Sequence, residues 1–264
     1  MAFRIMLVGG GTGGHVVPLV AVAQELQKEA KVLGISVDMR FMGDGDLLVQ
    51  EAKGVGVSYR TVMAPKWRRY FSLINFLDLL KLPIGLIQAV LHMWMYMPDV
   101  VFSKGGYAAF LPLVAAKLMF IPIVMHESDA VPGRVGRIFG VFAKRVFVAY
   151  EGAKEYFSLN KTELVGVPIR PAILEKANRA EALAYFKFNG SKPILFITGA
   201  NQGAQILNQM LVSSIVELVK QFDIIHQAGG IQFEEVSKQI DQIVKEEEKT
   251  FGASIQSNYR IYPR

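Results

Sequence analysis

The amino-acid sequence predicts an α/β protein with parallel sheets, arranged as two successive domains. Three observations carry that expectation. Short apolar runs alternate with helical patterns along the chain, as chains of βα units do. Several of those runs end in glycine-rich turns. The alternation also pauses at Gly166-Val-Pro-Ile-Arg-Pro171, a two-proline crossing, and then starts again. With 264 residues and 52% hydrophobic content, the chain has enough apolar material for one large core or two modest ones.

In chain order, Arg4–Val8 reads as a buried strand and His15–Ala30 as a helix. A strand at Val37–Met42, a helix at Asp46–Lys53 and a strand at Val57–Val62 follow. Beyond an apolar segment, Val100–Phe102, Ile121–Met125 and Arg145–Val148 read as further buried strands with helical stretches between them. The first domain is placed at 1–168 and the second at 169–264. The second series runs strand Ile194–Thr198, helix Gly203–Lys220, strand Asp223–Gln227, charged helix Ile231–Glu247 and strand Tyr259–Tyr262. Three strands make a thin sheet, so the second domain is expected to be incomplete.

Composition narrows the chemistry. There is no cysteine, which excludes disulfides, thiolate metal sites and cysteine nucleophiles. The four histidines, His15, His92, His126 and His226, show no zinc-site spacing. A net charge of +6 suits an anionic membrane surface, a phosphorylated substrate or nucleic acid. The opening Met1–Gly11 is too short in its apolar run to be a signal peptide.

The segment after residue 65 is distinctive. Its longest charge-free stretch, Leu82–Pro98, has 17 residues and contains Pro83, Gly85, Gln88 and His92. A membrane span needs about 20 apolar residues, so none is expected. Two readings stay open. One is a buried helix pair. The other is an interfacial anchor, with Trp67, Phe71, Ile74 and Leu77 in lipid and Lys66, Arg68 and Arg69 on anionic headgroups.

The strongest local signal is Gly9-Gly-Gly-Thr-Gly-Gly-His15, a turn between the first strand and the first helix. Glycines allow a tight turn and close approach of a ligand, and the helix start offers free N–H groups to an anion. Gly9, Gly11 and Gly14 also fit a dinucleotide fingerprint. The matching acid, Asp44, comes 30 residues after Gly14 rather than about 20, so a nicotinamide enzyme is a weaker alternative. His15, at the rim of the turn, is the side chain best matched to proton transfer near neutral pH. Similar turns at Ser103–Tyr107 and Thr198–Ala204 and the polar His126-Glu-Ser-Asp129 follow other strands. Strand carboxyl ends are where open α/β sheets bind ligands, which points to two Rossmann-like domains facing a cleft.

Taken together, Gly9–Pro18, Gly105-Gly-Tyr107, His126-Glu127, Gly166–Arg170 and Gly199–Asn208 resemble glycosyltransferase family 28 in order and spacing, over the whole chain. The resemblance implies a GT-B fold. It also implies inverting transfer of N-acetylglucosamine from UDP-N-acetylglucosamine to the undecaprenyl-linked acceptor lipid I, giving lipid II for peptidoglycan. It implies no nicotinamide, no tightly bound catalytic metal and no nucleic-acid partner. By position, His15 matches the suspected general base, with Glu127 an alternative or orienting partner. Thr12, Gly13, Gly14, Asp129, Arg170 and Asn201 match positions that meet the UDP-sugar. Gly11, Gly105, Gly106, Tyr107 and Gly203 belong to the glycine turns that hold diphosphate. Lys66, Trp67, Arg68, Arg69, Phe71 and Ile74 fall in the region that docks on the cytoplasmic face of a bacterial membrane. Two positions depart from the family: Asp129 replaces an asparagine and Asn201 a serine. The uracil pocket, a diphosphate turn and a ribose-binding glutamate of the family are not found up to Arg264. A non-catalytic membrane- or partner-binding remnant is therefore kept beside the transferase reading.

Overall fold

The structure, a computed structural model, describes residues 2–64, 73–200, 203–247 and 251–263, with side chains of 73–80 left aside. The chain divides into two compact units, Met1–Glu175 and Lys176–Arg264.

The first unit runs β1 (Phe3–Val8), α1 (Gly13–Leu33), β2 (Val37–Gly43), α2 (Asp46–Gly54), β3 (Ser58–Thr61), α3 (Leu73–Tyr96) and β4 (Val100–Ser103). It continues through α4 (Phe110–Leu118), β5 (Ile123–Glu127), α5 (Arg134–Gly140), β6 (Arg145–Val148), β7 (Thr162–Leu164) and α6 (Pro171–Leu174). The strands pair in the order β3-β2-β1-β4-β5-β6-β7, and every pairing is parallel. Strand residues alternate between two cores, as period-2 geometry demands. Ile5 and Leu7 pack with α1 and α2 residues such as Leu19 and Leu48, while Met6 and Val8 pack with Met93, Leu111 and Leu113. Helices cover both faces, which is why these strands read as continuous apolar runs rather than alternating ones.

Strand order reverses between β1 and β4, and Val8 pairs with Ser103. Ser103 in turn pairs with Met125 of β5. The turns leaving β1, β4 and β5 are thus neighbours at one carboxyl edge, at the switch point where open sheets bind ligands.

Several elements depart from the sequence expectation. β5 starts two residues later than Ile121, because the Ile121 N–H closes the end of α4 on the Ala116 carbonyl. His126 and Glu127 therefore end the strand instead of following it. The apolar segment forms one helix, α3, which passes through Pro83, rather than a helix pair. Gly85 lets that helix lie close, since a Cβ there would come within 2.1 Å of the Met63 carbonyl oxygen. β7 has no counterpart in the sequence reading. Residues 169–175 fold with the first unit, where Arg170 bonds Glu51 of α2 at 2.9 Å. Among the described residues, no helix is long and apolar enough to cross a membrane.

The second unit comprises α7 (Arg179–Phe186), β8 (Ile194–Thr198), α8 (Gln205–Gln221), β9 (Asp223–Gln227), α9 (Phe233–Glu246), α10 (Gly252–Asn258) and β10 (Tyr259–Tyr262). Its parallel sheet has the order β10-β9-β8. Leu211, Ile215, Ile224, Val236 and Ile255 form its core.

Candidate active site

The β1 turn is shaped by backbone contacts that only glycine permits. Gly10 and Gly11 have φ of 152° and 85°. The Gly11 N–H bonds the Asp44 carbonyl at 3.0 Å, and a Cβ on Gly11 would fall 2.3 Å from the Tyr107 ring. A side chain at Gly11 would thus collide with the neighbouring β4 turn. Gly13 and Gly14 are the first two residues of α1, so their N–H groups have no acceptor within the helix and face its positive end. Thr12 occupies the N-cap position, yet its hydroxyl makes no capping bond. It bonds His15 Nδ1 at 2.8 Å instead.

His15 is held from two sides. Gly106, at φ 80°, lies against its ring, and a Cβ there would sit 3.1–3.2 Å from three ring atoms. Gly105, at φ 72°, donates its N–H to Ser103 Oγ and completes the β4 turn. Tyr107 donates a hydrogen bond to the Asp44 carboxylate; burial, followed by that acid, pushes its phenol up. Asp44 is therefore committed to Tyr107 and the turn, which argues against a ribose-binding role for it. Burial lowers the His15 pKa first, the Lys104 ammonium lowers it further, and Asp129 opposes both. The imidazole is accordingly a free base at neutral pH.

Lys104 was not singled out in the sequence. It is only 3% exposed. Its Nζ bonds His126 Nδ1 at 2.8 Å and the Ser128 hydroxyl, and His126 Nε2 bonds the Gly166 carbonyl at 2.8 Å. Burial lowers Lys104 to about 8 against the pull of Glu127 and Asp129. Burial, then Lys104, lowers His126 to about 4. Glu127 accepts the Asp129 N–H at 3.1 Å, and Gly136 leaves room for its other oxygen. Burial raises the Glu127 carboxyl. Asp129 itself is exposed.

Arg170 stands apart from this cluster in its bonding, since its guanidinium is paired with Glu51. In the second unit, Gly203 has φ 80°, and a Cβ there would come 2.2 Å from the Ala228 carbonyl oxygen. Behind that turn, Asn208 donates to the Ala228 carbonyl and to Gln232 Oε1, and accepts from His226 Nε2. His226 Nδ1 accepts from the Tyr259 hydroxyl at 2.8 Å. Burial lowers His226 to about 4. Asn201 lies outside the described residues, as do Lys66, Trp67, Arg68, Arg69 and Phe71. Ile74 falls in the first turn of α3. Among the described residues, no cluster of three or more acidic or histidine side chains could hold a metal ion.

The chain matches the glycosyltransferase family 28 N-terminal domain over residues 5–148. It is 38% identical over 231 residues to the UDP-N-acetylglucosamine–N-acetylmuramyl-(pentapeptide) pyrophosphoryl-undecaprenol N-acetylglucosamine transferase of Legionella pneumophila strain Lens, covering 87% of this chain and 62% of that protein. The enzyme of the same name from Clostridium botulinum strain Loch Maree is 31% identical over 256 residues, with 92% and 70% covered. The chain thus spans about three-fifths of the length of the Legionella relative. Among solved structures, Acinetobacter baumannii MurG superimposes with a TM-score of 0.60 at 21% identity, covering all of this chain and 67% of that one. The UDP-GlcNAc 2-epimerase of Neisseria meningitidis, bound to UDP-GlcNAc, gives 0.64 at 17% identity, with 99% and 72% covered. At these identities the two structures speak for the fold alone.

Proposed function

Since the chain belongs to glycosyltransferase family 28, we propose that its protein transfers N-acetylglucosamine from UDP-N-acetylglucosamine to lipid I, as its named relatives do. The observation that carries this reading is the meeting of the β1 and β4 turns. It leaves one histidine, His15, held by Thr12 and Gly106 beside unpaired helix N–H groups.

The chemistry follows from those groups. The acceptor hydroxyl oxygen attacks the anomeric carbon, the carbon–oxygen bond to the diphosphate breaks, and the electron pair leaves with UDP. Attack from the face opposite the leaving group inverts that carbon. The hydroxyl proton must go to a base. In the tautomer that donates Nδ1–H to the Thr12 hydroxyl, the Nε2 lone pair of His15 is available to take it. Burial and the Lys104 ammonium lower the pKa of His15, which favours the neutral imidazole that this step needs. Glycine-turn N–H groups suit the stabilisation of diphosphate oxygens. Glu127 bonds the Asp129 backbone rather than His15, so it serves as an organiser of the β5 turn.

The lipid-borne acceptor requires a membrane surface. The outer face of α3 carries Ile84, Ile87, Leu91, Trp94 and Met95, all at least 49% exposed and spaced along one helical stripe. This stripe lies downstream of the basic and aromatic residues 66–71. We assign both to peripheral docking on an anionic cytoplasmic leaflet. The experiment is transfer of labelled sugar by the full-length protein in phosphatidylglycerol vesicles holding lipid I. Label moving into the lipid fraction supports the reading, and label remaining in the nucleotide fraction refutes it.

A further inference from the structure

We infer that Lys104 is a positioning residue. Its buried ammonium ties the end of β4 through His126 to the Gly166 turn, and it places a fixed positive charge behind the turn that carries His15. The inference rests on the reading of His15 as the proton acceptor and adds a residue to it.

The geometry begins with the sheet. The Lys104 N–H bonds the Val8 carbonyl, so its backbone is stitched to the end of β1. Its Cβ lies 3.7 Å from the position of a Cβ on Gly9, directly against the glycine turn. From there the side chain runs across the carboxyl edge to β5. A buried ammonium is costly unless its hydrogens are bonded and counter-charges stand near. His126 Nδ1 and Ser128 Oγ take two of them, and the carboxylates of Glu127 and Asp129 supply the charge.

The arrangement decides a tautomer. The Gly166 carbonyl can only accept, so His126 Nε2 must carry the hydrogen. Nδ1 then offers a lone pair to the ammonium. A protonated His126 would set N–H against N–H at that contact, so a charged Lys104 requires a neutral His126. The bonded chain from Lys104 to Gly166 crosses β5 and β6, and Gly166 opens the segment that leads to Arg170. The same charge acts on His15. The charged side chains that face His15 are Lys104 from the end of β4 and Asp129 from the loop after β5, and they act in opposite senses. Removing the ammonium leaves Asp129 unopposed and should favour the imidazolium.

The test is the nitrogen-15 spectrum of the histidine rings in the wild-type protein and in the Lys104→Met and Lys104→Gln variants, followed through a pH titration. In the wild type, His126 should show the Nε2–H tautomer and stay neutral down to about pH 5. In Lys104→Met, the midpoints of His15 and His126 should both rise, by on the order of 0.5–1 unit. Lys104→Gln keeps a donor for His126 but no charge. It should preserve the tautomer while the His15 midpoint still rises. An Nδ1–H tautomer in the wild type, or a His15 midpoint unmoved in Lys104→Gln, overturns the inference. The wild-type and glutamine measurements decide the matter even if the methionine variant does not fold. None of these spectra needs donor or acceptor, so a failed transfer assay would sink the catalytic reading and leave the titrations standing.

Discussion

The glycine turns after β1 and β8 perform the same backbone task but are supported differently. The β1 turn rests on side chains that remain within reach of a ligand. Thr12 holds His15 by one nitrogen, and Gly106 supports its ring. Behind the β8 turn, both nitrogens of His226 are taken by Asn208 and Tyr259, and His226 is fully buried. The two histidines share a lowered pKa with the same leading cause, burial. What separates His15 from His226 here is the number of occupied nitrogens, one against two, not the direction of the shift.

That contrast can be tested by substitution. His15→Ala should reduce transfer by roughly 100-fold or more, the usual contribution of a general base. Its unfolding free energy should stay within about 0.5 kcal/mol of the wild type, since no buried partner is orphaned. Steady-state transfer rates and urea denaturation measure the two quantities. Asn208→Ala should show the opposite balance. It leaves His226 Nε2–H and the Ala228 carbonyl without their partner and should cost about 3 kcal/mol in the unfolding of Lys176–Arg264. A transfer loss without a stability loss in that variant would break the distinction.

Gly106→Ala is a finer probe. A methyl at φ 80° costs on the order of 1–2 kcal/mol, and it also presses on the His15 ring. The drop in kcat should therefore exceed the effect of an equally destabilising change elsewhere, such as Gly190→Ala at φ 75°. Comparing kcat at matched stability checks this.

A further effect concerns pH. His126 and His226 are held near 4 in the folded protein, below the ordinary histidine value of 6.5. The unfolded chain therefore binds protons more readily between those values. This part of stability is intact above about pH 6.5, declines as pH falls, and levels off near 4. Each unit contains one of the two histidines, so urea midpoints of both should be lower at pH 5 than at pH 7.5. Midpoints that do not fall would contradict the buried neutral assignment.

Much of the scaffold was legible because its signals are local. Apolar runs ending in glycine mark β1, β4 and β8, and a glycine turn followed by His15 marks the start of α1. The same locality accounts for what was missed. Lys104 reads in sequence as a turn residue. Its burial follows from the β1-β4-β5 strand order, which brings residues 8, 104 and 126 to one edge. The Asn208–His226–Tyr259 chain joins residues 18 and 33 positions apart. Long-range pairing of this kind has no local pattern. The apolar segment reads in sequence as a helix pair or an interfacial anchor, yet packing of Ala89, Met93 and Tyr96 into the core carries one helix, α3, through Pro83. Arg170 matched a donor-binding position by family motif, whereas its ion pair with Glu51 depends on the folding of residues 169–175 against the first unit.

The central claim is that His15 accepts the proton at the β1–β4 switch point. The most direct measurement is the pH dependence of kcat/KM for sugar transfer by the wild type and by His15→Gln. The account predicts an acid limb with its midpoint below 6.5 in the wild type, absent from the weak residual activity of the variant. The same limb persisting in His15→Gln would contradict it.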